Sequence, residues 1–313
     1  MQQKKLSIVI PVLNESSNIR PLLDAFEACL PRGYEFEIIF VDDGSDDDTL
    51  EVLHQSMFRG KAVGYLSFSR NFGHQNALKA GLDRASGDCV ISMDGDLQHP
   101  PELIPVLLEK WEQGYDVVYT RRKDTRKQGT FKRLTSHWFY RFMRSLSGMQ
   151  MEEGIADFRL LDRKVVDVAA AFHEPDLFLR GIIKWMGFRQ CAVDYTSGQR
   201  FSGQTKYTHR KMIKFALQGI TSFSVKPLYV SIVLGIVFFL LSLIYIPYIL
   251  WCVVTGQAVQ GWASIVITIM FFGGLNMLLL GIMGIYIGKI FMQTKQRPGY
   301  IIQEANIEAS LKT

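Results

Sequence analysis

Short runs rich in β-branched and aromatic residues at 6–12, 37–41, 62–68, 89–93 and 116–119 alternate with helical periodicity at 18–30, 48–57, 74–85 and 101–113. That alternation predicts an α/β fold built on a parallel sheet. Asp48-Thr49 and His99-Pro100-Pro101 supply helix starts. Ligands of such sheets bind at the carboxyl ends of the strands, and the polar residues of this chain collect there. The first strand ends in Pro11-Val12-Leu13-Asn14-Glu15, the second in Asp42-Asp43-Gly44-Ser45 and the third in Ser69-Arg70-Asn71. The fourth ends in Asp94-Gly95-Asp96 and the fifth in Thr120-Arg121-Arg122. One such end is an ordinary turn, but five on one edge predict a site.

The pattern changes after residue 226. No Asp, Glu, Lys or Arg occurs between Pro227 and Gly288, and about 20 apolar residues suffice to cross a bilayer. Two crossings are predicted, at 228–254 and 262–288, joined by the uncharged link 255–261. Soluble helices of that length carry a polar face. Lys211, Lys214 and Lys226 precede the first span, and Lys289, Lys295 and Arg297 follow the second, so the positive-inside rule puts both chain ends in the cytoplasm. The apolar run 6–13 is interrupted by Asn14-Glu15, and no signal peptide is expected. The segment 130–148, with Trp138, Phe139 and Phe142 among basic residues, predicts an amphipathic helix lying on the membrane surface. Residues 207–226 predict a second, juxtamembrane amphipathic helix leading into the first span, and the polar tail 291–313 is expected to be loose after Gly299. Gly273-Gly274, Gly281, Gly284 and Gly288 would permit close helix contact and so a homo-oligomer.

Composition narrows the field further. At 313 residues the chain holds one domain of some size plus the membrane part. Cys29, Cys89, Cys191 and Cys252 lack paired spacing, which excludes a disulfide framework and a zinc site. The formal charge of +5, concentrated near the membrane, suits anionic headgroups or phosphates. Without a basic-aromatic cluster elsewhere, nucleic acid is not an expected partner.

Asp94 and Asp96 follow the apolar run 89–91 and can converge on one hard cation, with the Gln98 amide oxygen as a third ligand. Magnesium and manganese bind through one or two carboxylates plus substrate phosphates. "VIPVLNE" from Val9, "VDDGSDDDT" from Val41, "NFGHQNALKAGLDRASGD" from Asn71 and "MDGDLQHPPE" from Met93 together resemble family 2 glycosyltransferases of the GT-A fold. With "DFRLLDR" from Asp157, "RFSGQTKY" from Arg200 and the two spans, the likeness narrows to the polyprenyl-phosphate glycosyltransferases, the group of bactoprenol glucosyltransferase and dolichol-phosphate mannose synthase.

The resemblance implies a GT-A, Rossmann-like, mostly parallel sheet over 1–206, interfacial helices, and a two-helix transmembrane hairpin within 227–290. It implies that Pro11, Asn14, Glu15 and Asp43 contact the base and ribose of a nucleotide-sugar donor, with Asp94 near the nucleotide and sugar. Asp94, Asp96 and Gln98 would hold Mg2+ or Mn2+. Gly95, where many relatives carry alanine, is expected only to loosen the turn. Arg122, Lys132 and Arg133 would bind the phosphate of a polyprenyl phosphate acceptor, and Arg200 and Lys206 the leaving diphosphate. Asp157 stands where acceptor-deprotonating relatives carry a base, and it could equally orient the acceptor or brace Arg159. His74 and His99 are read as structural.

The implied reaction is inverting transfer of a hexose, expected to be glucose from UDP-glucose, to undecaprenyl phosphate at the cytoplasmic face of a bacterial inner membrane. Mannosyl transfer from GDP-mannose is the nearest alternative. A processive polysaccharide synthase is disfavoured, because no Gln-x-x-Arg-Trp follows the metal motif. A non-catalytic scaffold or lipid-translocation subunit is disfavoured by the intact Asp94, Asp96 and Gln98.

Overall fold

The computed structural model describes residues 3–122, 155–174, 177–195 and 261–307, with isolated positions between 228 and 255. The chain divides into two compact units: Met1–Thr135, Gln150–Tyr207 and Pro298–Thr313 form one, Ser136–Met149 and Thr208–Arg297 the other.

In the first unit the chain order is β1 (Lys5–Val12), α1 (Ser16–Cys29), β2 (Glu35–Asp42), α2 (Thr49–His54) and a small hairpin of β3 (Met57–Phe58) and β4 (Lys61–Ala62). Next come β5 (Gly64–Phe68), α3 (His74–Arg84), β6 (Cys89–Ser92), a 3-10 turn at Pro101–Leu103, α4 (Ile104–Glu112) and β7 (Val117–Arg122). The unit is completed by β8 (Ile155–Asp162), α5 (Arg163–Ala170), α6 (Leu179–Trp185), β9 (Gln190–Tyr195) and β10 (Ile302–Ala305). The eight-stranded sheet has the order β10-β5-β2-β1-β6-β8-β7-β9.

The expected α/β fold with a mostly parallel sheet is present. β1 runs parallel to β2 and β6, β2 to β5, and β7 to β9. β8 and β10 are the antiparallel members. β8 inserts between β6 and β7, so its first residues, Ile155 to Asp157, lie at the edge where β6 and β7 end. The alternating pattern of the first part of the chain did not contain this strand.

β1 shows why these strands read as nearly unbroken apolar runs. Its even positions, Leu6, Ile8, Ile10 and Val12, join Ile19, Leu22 and Phe26 of α1 and Ile104 and Leu107 of α4 in one buried cluster. Val9 faces the other way, against Gly81 of α3. A strand covered on both faces has no polar side to show, and each large side chain buried there contributes about 1.5–3 kcal/mol.

The loose tail expected after Gly299 is corrected. Ile302, Glu304 and Ala305 pair antiparallel with Phe68, Ser67 and Leu66, and the Ser69 amide donates to the Ile301 carbonyl at 3.0 Å. β5 would otherwise be an edge strand with open hydrogen-bonding groups, and β10 covers it.

In the second unit α7 runs over Trp262–Thr294, 33 residues. Its Phe271–Thr294 portion has a mean hydropathy of 1.8 and none of it is buried. Among the described residues it is the one helix long and apolar enough to cross a membrane. The interfacial helix at 130–148, the segment 207–226 and most of the first span lie outside the described residues.

Gly81 is fixed by contact, since a Cβ there would stand 2.2 Å from Val9 Cγ1. Gly81→Ala is expected to lower stability by about 1–3 kcal/mol through overpacking. Thermal unfolding checks this, and Gly81→Ala with Val9→Ala should lose less than the sum of the two single changes.

Candidate active site

The carboxyl edge of the sheet is assembled from turns, and each turn is tied to its neighbour. Asn14, two residues past the end of β1, lies in the left-handed region at φ 57, where asparagine is tolerated better than most residues. Its amide donates to the Ser45 hydroxyl at 2.9 Å, and its side-chain oxygen accepts from the Asp46 amide at 2.9 Å. The Glu15 amide donates to the Thr49 hydroxyl at 3.0 Å. Pro11 is buried within β1, opposite Val41.

The acidic pair after β2 turns inward. Asp42 accepts from the Ser45 amide at 3.0 Å and the Ser67 hydroxyl at 2.8 Å. Asp43, 3% exposed, accepts from the Phe72 amide at 2.7 Å and from the Gly73 amide at 3.1 and 3.0 Å. Asp43 was expected to face a nucleotide directly, and its present partners are backbone groups of the loop before α3. Burial pushes its carboxyl upward, and those amides pull it back.

Asp94 and Asp96 sit just beyond β6, both partly exposed. Gly95 between them does more than loosen the turn, because a Cβ would lie 2.9 Å from Val12 Cγ1. Asp94 Oδ1 is 2.8 Å from His74 Nε2, and the Asp94 amide donates to His99 Nδ1 at 3.1 Å. That bond puts the His99 proton on Nε2, 3.7 Å from Asp94 Oδ2. His99 is buried and stacks on Phe158 with ring centroids 5.4 Å apart. Burial opposes ionisation of Asp94, yet the His74 hydrogen bond and the nearby histidines hold its carboxyl below the usual range. The same bond raises His74 against the opposing effect of burial. Both histidines thus serve as supports, as the sequence suggested, but what they support is the aspartate itself. Sequence spacing contained no signal for those contacts.

Asp96 is held locally. Its carboxylate accepts from the Gln98 amide nitrogen of the main chain at 3.1 Å and from Gln98 Nε2 at 2.5 Å. Glu15 faces the same region: burial raises its carboxyl, a hydrogen bond from Asn18 lowers it, and Asp96, Asp47 and Asp94 repel it upward. Such an accumulation of carboxylates suits a hard divalent cation. Asp94 and Asp96 are candidates to hold one, and Gln98 here turns its side-chain nitrogen, not its oxygen, to Asp96. Among the described residues no group of three or more His, Cys, Asp or Glu side chains forms a metal cage.

Asp157 opens β8 at the same edge and is almost fully buried. Arg180 of α6 grips it with two bonds of 2.6 Å, and Arg159 adds a third at 3.2 Å. Burial alone would raise its carboxyl, but Arg180 and then Arg159 hold it far below the ordinary carboxylate range. A carboxylate clamped in this way is a poor proton acceptor, and of the roles open to Asp157 the geometry fits the brace for Arg159. Arg180, with no motif to mark it, is the residue sequence reasoning missed.

Arg122 ends β7 exposed, paired in register with Tyr195 of β9. Burial raises the Tyr195 phenol, Arg122 lowers it, and Asp94 and Asp96 raise it further, so these charges share one neighbourhood. Lys132, Arg133, Arg200 and Lys206 lie outside the described residues.

The model of glycosyl transferase family 2 matches residues 7–168. A prophage bactoprenol glucosyl transferase homolog of Escherichia coli (strain K12) is 41% identical over 304 residues, covering 96% of this chain and 98% of its own. The bactoprenol glucosyl transferase of Shigella phage SfV is 41% identical, covering 96% and 98%. Among solved structures, glucosyl-3-phosphoglycerate synthase from Mycobacterium tuberculosis in complex with Mn2+, uridine-diphosphate-glucose and phosphoglyceric acid is 20% identical. It covers 70% of this chain and 78% of that one, with a TM-score of 0.48.

Asp157→Asn leaves buried Arg159 facing a neutral partner and is expected to cost about 3–5 kcal/mol. Because the folded carboxyl lies below its unfolded value, the stabilisation is full above about pH 3.9 and fades as pH falls further. Unfolding measured against pH should show wild type and variant converging in acid.

Proposed function

Because the chain belongs to glycosyl transferase family 2, we propose that it transfers glucose from UDP-glucose to a polyprenyl phosphate at a membrane surface, inverting the sugar carbon. One observation carries this reading beyond the family: β6 and β7 both run antiparallel to β8, so Asp94 and Asp96 after β6 and Arg122 at the end of β7 lie at one edge of the sheet. The near full-length relatives named bactoprenol glucosyl transferase support glucose and a lipid acceptor.

The acceptor chemistry agrees with the state of Asp157. A phosphate monoester has a second pKa of about 6 and already carries an anionic oxygen at neutral pH. No strong base is then required, and a carboxylate committed to Arg180 and Arg159 is no loss. The demand moves to charge, since an anionic acceptor must approach an anionic donor and a nucleoside diphosphate must leave. Arg122, Lys132 and Arg133 serve the acceptor phosphate in our reading, and Arg200 and Lys206 serve the leaving diphosphate. Asp94, Asp96 and Gln98 would hold a divalent cation, Mg2+ or Mn2+, which would supply positive charge to offset that of the donor diphosphate. Asn14 and Glu15 face the nucleotide, while Pro11 and Asp43 shape the floor beneath it.

Connectivity supports a two-span anchor. β10 follows α7 and pairs with β5, so both ends of the intervening segment belong to one folded unit. A folded unit stays on one side of a bilayer, and the chain must cross an even number of times. α7 is one crossing in this reading and the apolar stretch 228–254 the other, with the catalytic unit cytoplasmic. A polyprenyl tail leaves the bilayer only at about 0.8 kcal/mol per exposed CH2, which explains why the enzyme is brought to its acceptor.

The test uses the purified full chain in detergent with polyprenyl phosphate and a panel of labelled nucleotide sugars. Label from UDP-glucose should enter the lipid fraction, EDTA should abolish transfer, and Asp96→Asn should reduce it at least about 100-fold. Absence of any sugar transfer, or full transfer without divalent metal, would overturn the reading.

A further inference from the structure

The segment that returns from α7 does more than cover a sheet edge. Only Lys295-Gln296-Arg297-Pro298-Gly299 separates the last residue of α7, Thr294, from Tyr300. The Tyr300 ring stacks on Phe68 with centroids 5.1 Å apart and planes 11° from parallel. Phe68 in turn meets Phe72 edge to face at 5.8 Å and 90°. Phe72 is the residue whose amide holds the Asp43 carboxylate at 2.7 Å.

A second line of contacts runs alongside. The Ile301 carbonyl accepts from the Ser69 amide, fixing the start of the loop 69–73. The Asn76 side chain closes the loop's other end by donating to the Phe72 carbonyl at 2.8 Å, and Gly299 lies against that asparagine. Gly73, at φ +97, then starts α3, whose first residue, His74, holds Asp94. One short loop therefore anchors two acids of the site, and the returning segment is what backs it.

We infer that Tyr300 is a positioning residue for the donor side of the site, holding the loop 69–73 through Phe68 and Phe72 so that Asp43 and His74 stay in place. The inference rests on the donor-site reading given above. It makes donor affinity depend on a residue that touches no substrate and that follows the apolar helix directly in the chain. The acceptor side, built on Arg122 at the far part of the sheet, is not in this line of contacts.

Tyr300→Ala and Tyr300→Phe in the full chain in detergent separate this role from a merely structural one. Tyr300→Ala is expected to raise the donor KM at least about threefold, the scale of one lost aromatic pair, with the acceptor KM unchanged. Amide hydrogen exchange at Phe72 and Gly73 should quicken in the same variant. Tyr300→Phe keeps the stacked ring, loses only the 3.2 Å hydrogen bond to Asp83, and should restore both values. Should Tyr300→Ala fail to fold, Phe72→Leu interrupts the same chain of rings and should give the same rise in donor KM. An unchanged donor KM, equal changes in donor and acceptor KM, or a Tyr300→Phe as impaired as Tyr300→Ala would each overturn the inference. If the wild-type chain transfers no sugar, the proposed function fails instead, while hydrogen exchange still decides whether Tyr300 holds the loop.

Discussion

Carboxylates can gather at one edge of a buried sheet only if each is met by a specific counterpart, because desolvated charge without a partner is too costly to fold around. The structure meets this constraint acid by acid. Asp43 is given backbone amides, Asp94 the His74 ring at 2.8 Å with that of His99 at 3.7 Å, and Asp157 two arginines. Among the described residues, Glu15 and Asp96 are met only by local amides, the Asn18 side chain for one and the Gln98 main chain and side chain for the other. The negative charge left there, felt as mutual repulsion at Glu15, is what a cationic ligand would relieve.

The supports come from elements far apart in the chain. His74 begins α3, Arg180 lies in α6, and Tyr300 enters from beyond the apolar helix. The reversed strand β8 makes this economy of placement work, since running antiparallel it delivers Asp157 to the same edge as the ends of β6 and β7. Had β8 run parallel, its first residues would lie at the opposite edge, whereas Asp157 Oδ2 stands 4.0 Å from His74 Nδ1. Lipid-phosphate chemistry then makes sense of a clamped Asp157, because the acceptor brings its own nucleophile.

Much of this was legible from residue order. The strands at 6–12, 37–41 and 89–93, the helices between them and the polar strand ends follow from local periodicity and turn chemistry, and each recurs within a few residues of its expected place. The apolar helix is likewise a property of composition. The motif "MDGDLQHPPE" marked the acids of the site because a strand followed by paired carboxylates is a local feature.

What only the tertiary structure decided is who faces whom. The sequence by itself determined the α/β alternation, the acidic turns and the apolar stretch, since these depend on neighbours a few residues apart. It could not show that His74 and His99 hold Asp94, that Arg180 disarms Asp157, or that a polar tail becomes the strand beside β5. Those pairings join residues up to more than two hundred positions apart, and their energies come from burial and register, which exist only once the sheet has formed.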